Sequence, residues 1–169
     1  SDLTDKLAKA RPVYVAAPTN CSTPSAGGSG GGNQHLNGNI FNLSWDDETD
    51  NVNLYVQKGN AWLYGGRKNE PSIGSWSDLR SGPLSKRTKS EIATIRRPGV
   101  YKIYGHFVSS RQKRNAVKVR LQVSSSAGSK FSQAFEFNLP AGQRSPKSGG
   151  VAPLKEIEVL PDGTIRILR

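Results

Sequence analysis

The feature that most constrains this chain is a two-residue rhythm of apolar and polar side chains that recurs from Phe41 to Leu139. In NIFNLSW, Phe41, Leu43 and Trp45 share one side while Asn42 and Ser44 take the other, the alternation of a half-buried strand. DNVNLYVQ repeats the pattern with Val52, Leu54 and Val56. VYKIYGHFV does so with Tyr101, Ile103 and Phe107, AVKVRLQV with Val117, Val119, Leu121 and Val123, and KFSQAFEFNL with Phe131, Phe135, Phe137 and Leu139. EIATIRR and AWLYGG read as two further short strands. A parallel sheet needs crossover helices, and no helical period separates these segments. The spacing therefore predicts an all-β fold, an antiparallel β-sandwich.

Around that body the composition changes. Residues 1–38 hold a short polar opening and then a Pro-, Ser- and Gly-rich run ending in GGSGGGNQHLNG, which reads as an extended arm and flexible linker. The sandwich is expected over residues 39–140, a second linker over 141–153, and a hairpin over 154–169, where KEIEVL and TIRIL flank a Pro-Asp-Gly turn. Two strands alone are marginal in water, so this hairpin must dock on the sandwich or on another chain. The stretch RKNEPSIGSWSDLRSGPLSKRTKS has no period and reads as one long irregular loop. Gly105 interrupts an otherwise regular strand and is expected at a bulge. No apolar run reaches the length of a membrane-spanning helix.

Charge is unevenly placed. Residues 86–120 carry eleven Lys and Arg against one acid, Glu91, so +10 of the formal +11 lies there. A field of one sign attracts nucleic acid, anionic headgroups or an acidic protein face. The candidate polyanion-binding residues are Arg111, Lys113, Arg114, Lys118 and Arg120, with Tyr104 or Trp76 available to stack on bases. The competing reading is that outward positions of a strand must be polar and that Lys and Arg also guard edges. No RNP-type aromatic pair is present, and the Gly-x-x-Gly spacing occurs only inside the GGSGGG linker rather than as a clamp, so base-specific readout is not expected.

Residues fit for catalysis are scarce. His35 and His106 are the two histidines, one in the linker and one on the outward side of its strand, and P-loop, GxGxxG and HExxH motifs are absent. The lone Cys21 excludes an internal disulfide and any multi-cysteine metal site. Asp46, Asp47, Glu48 and Asp50 offer oxygens to calcium. They depart from an EF-hand loop, with Asn51 where Gly makes the sharp turn and Gln57 where a bidentate Glu closes the site. A solvated acidic turn is the simpler reading, and no cofactor is expected.

LSW (43–45), DDETD (46–50), NVNLYV (51–56), SEIATI (90–95) and RRPGVYKIY (96–104) together resemble a bacterial β-sandwich family of unknown function. That family occurs in envelope and secreted proteins and in small membrane-anchored accessories beside proton-channel motor genes. Its pattern has a strand ending in Trp, an Asp-rich turn, Asp-x-Asp-Leu-x-Val and Pro-Gly-x-Tyr; Asn51 and Asn53 stand here in place of both aspartates of the third motif. The resemblance implies a sandwich without catalytic function. The expectation is a structural or interaction module that joins other subunits, as a homo- or hetero-oligomer, in a virion or cell-envelope assembly. Its arm, long loop and terminal hairpin would make the contacts. The alternative is a charge-driven binder of nucleic acid or another anionic surface.

Overall fold

The computed structural model describes residues 35–47, 49–78, 89–126 and 130–169. Eleven strands form two antiparallel sheets among them: β1 (Asn39–Trp45), β2 (Asp50–Lys58), β3 (Ala61–Leu63), β4 (Asn69–Glu70), β5 (Gly74–Asp78), β6 (Ser90–Ile95), β7 (Gly99–Ser110), β8 (Ala116–Ser125), β9 (Phe131–Pro140), β10 (Lys155–Val159) and β11 (Ile165–Ile167). One sheet runs β4, β5, β6, β1, β8, β9 and the other β11, β10, β7, β2, β3. The all-β sandwich read from the alternation is the observed fold. Among the described residues no helix is long and apolar enough to cross a membrane.

The period-two faces meet where the sequence places them. Phe41 and Leu43 of β1 and Leu121 and Val123 of β8 turn inward and are fully buried, opposite Leu54 and Val56 of β2 and Ile103 of β7. Each such side chain contributes about 1.5–3 kcal/mol of transfer free energy. The Phe41 ring meets Tyr101 edge to face across the two layers, with centroids 5.9 Å apart. The Tyr101 hydroxyl satisfies itself by donating to the Arg97 carbonyl at 2.6 Å. Packing begins before the expected boundary at Asn39, because Leu36 is buried and its amide donates to the Arg96 carbonyl. Residues 1–34 of the expected arm lie outside the described residues.

Two expectations need correction. The long irregular loop contains β4 and β5, and β5 pairs in register with β6 from Gly74↔Ile95 to Asp78↔Glu91. Ile73 is fully buried and its carbonyl accepts from the Arg96 amide, while Gly74, at φ 154°, passes so close to the Thr94 carbonyl that a Cβ would collide with it. Residues 79–88 of that segment lie outside the described residues. Gly105 is not at a bulge: it pairs with Leu54 in regular register, and a Cβ there would press on Leu139, Leu154 and Leu43. The irregularity falls between Asn51 and Val52, whose partners Ser109 and Phe107 leave Val108 as the extra residue.

The C-terminal hairpin is part of the sandwich rather than a separate unit. β10 pairs with β7 from Lys155↔Ile103 to Val159↔Gly99, which places Ile157 and Val159 in the core. Its turn is held by the other sheet, since the Gly163 carbonyl accepts from Asn39 Nδ2 at 2.7 Å and from Ser125 Oγ at 2.8 Å. The connector over residues 141–153 crosses the outer face of the β7–β2 sheet. There the Gln143 carbonyl lies 3.0 Å from His106 Nε2, Pro146 is buried, and Lys147 Nζ donates to the Tyr64 hydroxyl. Asn39→Ala removes one of the two donors to a buried carbonyl, so a loss of about 1–3 kcal/mol is expected in urea-unfolding free energy. An unchanged midpoint would show that this clamp is not what holds the hairpin turn.

Candidate functional site

The antiparallel register brings two oppositely charged turns to one end of the molecule. The β1–β2 turn carries Asp46 and Asp47, and the β7–β8 turn carries Arg111, Lys113 and Arg114. Asp50↔Ser110 pairing and the Arg111 amide donating to the Thr49 carbonyl at 3.1 Å set the turns side by side. Asp47 Oδ1 accepts from both the amide and the hydroxyl of Thr49, at 2.8 and 2.7 Å, which fixes its own turn. Arg114 Nη2 donates to Asp47 Oδ2 at 2.6 Å, and Nη1 reaches Asp50 Oδ2 at 3.4 Å. The Thr49 backbone and hydroxyl, then Arg114 and Lys89, hold the Asp47 carboxyl below its ordinary range. Arg114 is therefore an internal clamp between the turns, with the buried Asp50 as one of its partners.

Two candidate sites from the sequence thus partly neutralise each other. The Asp47 and Asp50 carboxylates that were candidates for calcium face a guanidinium, and Asp46 is exposed; Glu48 lies outside the described residues. Among the described residues no group of three or more His, Cys, Asp or Glu is placed to hold a metal ion. Of the five basic candidates, Arg114 is engaged, while Arg111, Lys113, Lys118 and Arg120 are exposed with no ion-pair partner among the described residues. Lys118 and Arg120 project from the outer face of β8, opposite Asn138 and Glu136 of β9, and Ser44 lies on the other side of Arg120. Lys89, absent from the sequence candidates, joins this end because its carbonyl receives the Trp45 amide.

The proposed stacking partners are elsewhere. Tyr104 is buried on the outer face of the opposite sheet, donating its hydroxyl to Gln57 Oε1 at 2.8 Å and lying 5.5 Å from Trp62, ring to ring. Beside it Tyr55 stacks on Tyr64 at 5.0 Å, under the connector that carries Lys147. Trp76 packs against the core from β5, with Lys68 Nζ 5.5 Å from its ring centre. Neither aromatic lies beside the exposed cations, so an interleaved base-stacking groove is not formed by these residues.

A second feature escaped sequence reading because it depends on topology. The end strands β4, β3 and β11 are two or three residues long, whereas β9 has ten residues, β8 on one side and no strand on the other among the described residues. Phe131, Phe135 and Phe137 face the core side of β9 but are only partly buried. Lys155 Nζ lies 4.4 Å from the Phe135 ring centre and covers part of that face. Short end strands, bulges and charges normally blunt a free edge; within β9 the one charge is Glu136.

Inside the sandwich, Glu91 is 4% exposed and sits where β2 has, among the described residues, no neighbour beyond β3. Its Oε1 accepts from the Leu54 amide at 2.7 Å, which satisfies a backbone donor that the ladder leaves open. Burial pushes its carboxyl from 4.5 up to about 7; the Leu54 amide opposes this, as does the Trp76 indole N–H, and Asp78 adds to it. That indole N–H meets no partner at full hydrogen-bond geometry. Between about pH 5 and 7 the folded chain holds a proton that the unfolded chain has lost. The Glu91 contribution to stability is thus greatest below the ordinary carboxyl range, falls as pH rises to about 7, and then levels, a change on the order of 3 kcal/mol. Glu91→Gln is expected to flatten that slope in urea midpoints measured from pH 5 to 8. A slope equal to that of the parent chain would assign the dependence to another group.

No protein-family model, curated protein or solved structure matches the chain, so its functional reading rests on geometry and chemistry.

Proposed function

We propose that this chain is a non-catalytic interaction module that assembles into a larger complex through the open side of β9. The observation that carries the reading is the contrast between end strands: three of two or three residues, and one of ten with half-covered phenylalanines. An extended strand from a partner gains main-chain hydrogen bonds along such an edge and covers the exposed ring surface. The terminal hairpin, expected to reach a neighbour, is already committed to its own sandwich. Gln133 offers a clean probe, being exposed on the core-side row of β9 opposite Val123. Native sizing after cross-linking in the producing cell should find the chain in a species well above 18.3 kDa. Gln133→Lys should return it to monomer size while leaving its circular dichroism intact. A complex whose size ignores this substitution would contradict assembly through β9.

A second reading is favoured by the exposed cations at the turn end. Arg111, Lys113, Lys118 and Arg120 bind a polyanion through charge, with affinity that falls steeply with salt. Replacing these four by Gln should remove binding to DNA, RNA or anionic vesicles at about 50 mM salt and flatten the log–log salt slope. Arg114→Gln should change that slope little, because its guanidinium already faces Asp47. Absence of binding by the parent chain at low salt would end this reading.

A further inference from the structure

Resting on the reading of β9 as a docking edge, the residue pattern of that strand also identifies what docks there. We propose that the occupant is a second copy of this chain, paired antiparallel through β9 about a two-fold axis at Phe135.

The axis follows from the pleat. A two-fold perpendicular to the sheet keeps the apolar sides of both copies on the same side, so each residue must face one of its own parity. Two centres keep all but one residue of the ten-residue strand paired, Phe135 and Glu136. A centre at Glu136 sets two carboxylates directly opposite, leaves Phe131 outside the seam and brings Pro140, which has no N–H, into it. A centre at Phe135 does none of these. Phe135 then faces the partner's Phe135, Phe137 faces the partner's Gln133, and Phe131 faces the partner's Leu139. On the outer side Glu136 faces the partner's Ala134 and Ser132 faces the partner's Asn138.

Most of the surrounding structure suits this arrangement; the Lys155 ammonium over each Phe135 ring brings two like charges toward the axis. The half-covered rings of Phe131, Phe135 and Phe137 continue into the same row of the second copy, lengthening the apolar layer across the seam. Glu136 keeps Arg120 of its own β8 beside it, which offsets the second carboxylate lying diagonally across the axis. The connector over residues 141–153 passes Tyr64 and His106 on the outer face of the other sheet. Antiparallel pairing also sends the two basic turn ends to opposite ends of the seam, where repulsion beyond a Debye length of about 8 Å is screened at physiological salt.

Ala134 tests both the partner and the register, because it is exposed in the single chain and faces the partner's Glu136 in the pair. Sedimentation equilibrium of the purified chain should give a mass about twice 18.3 kDa at high concentration. Ala134→Glu should weaken the dimer by roughly 2- to 30-fold and Ala134→Lys should tighten it by a similar factor. In a Cys21→Ser background, Phe135→Cys should oxidise to a disulfide-linked dimer, since directly opposed strand residues meet the Cα separation a disulfide needs. Equal responses of the two Ala134 variants, or failure of Phe135→Cys to cross-link, would overturn the Phe135 axis. A purified chain that stays monomeric while Gln133→Lys still disperses the cellular complex would overturn the homotypic partner and leave the docking edge standing.

Discussion

Every strand of a sheet that lacks a neighbour exposes a row of backbone donors and acceptors, and this molecule is organised by how those rows are closed. On the β4, β3 and β11 sides the end strands stop after two or three residues. Where β2 outruns β3, a carboxylate substitutes for the missing strand: Glu91 reaches across the layers to the Leu54 amide. At the far end the Gly163 carbonyl of the last turn is taken by Asn39 and Ser125. β9, ten residues long, has among the described residues only Glu136, Pro140 and the Lys155 ammonium over Phe135 to blunt it, and the functional reading follows from that difference.

The electrostatics obey the same economy of partners. The charge density of residues 86–120 suggests a continuous basic surface, yet Arg114 is folded inward against Asp47 and the buried Asp50. What remains outward is a smaller set on the turn and on β8. Burial, rather than a neighbouring charge, dominates at Glu91, whose proton is retained because the ionised form would sit between two apolar layers with few donors. The two acid sites thus differ in kind. Asp47 stays ionised because Thr49 and Arg114 surround it, and Glu91 resists ionisation because its environment lacks water.

Most of the sandwich was legible because its strands alternate aliphatic and polar residues, and a half-buried sheet imposes that rhythm directly. β5 was not, because GSWSD offers one large apolar side chain, Trp76; its strand conformation comes from pairing with β6. Gly105 shows a different limit. A missing side chain in a strand signals either a bulge or a close approach, and the choice depended on Leu139 and Leu154, far along the chain. The pairing of the terminal hairpin was visible in KEIEVL and TIRIL, but its seat on β7 was not, since any exposed edge would accept it. For the candidate site, sequence found the cations and the acids yet could not know that Arg114 joins them, because the partners lie 64 and 67 positions away. That β9 comes last in its sheet among the described residues was illegible in principle: being last in a sheet is a property of strand order.

Amide hydrogen exchange along β9, followed against protein concentration, addresses the central claim most directly. In dilute solution the amides that face β8 should exchange slowly and the alternate ones quickly, and the fast set should become protected as concentration rises. Uniform protection of both sets at the lowest concentration, where the chain is monomeric, would mean that the edge is already covered from within the chain, and would contradict the account.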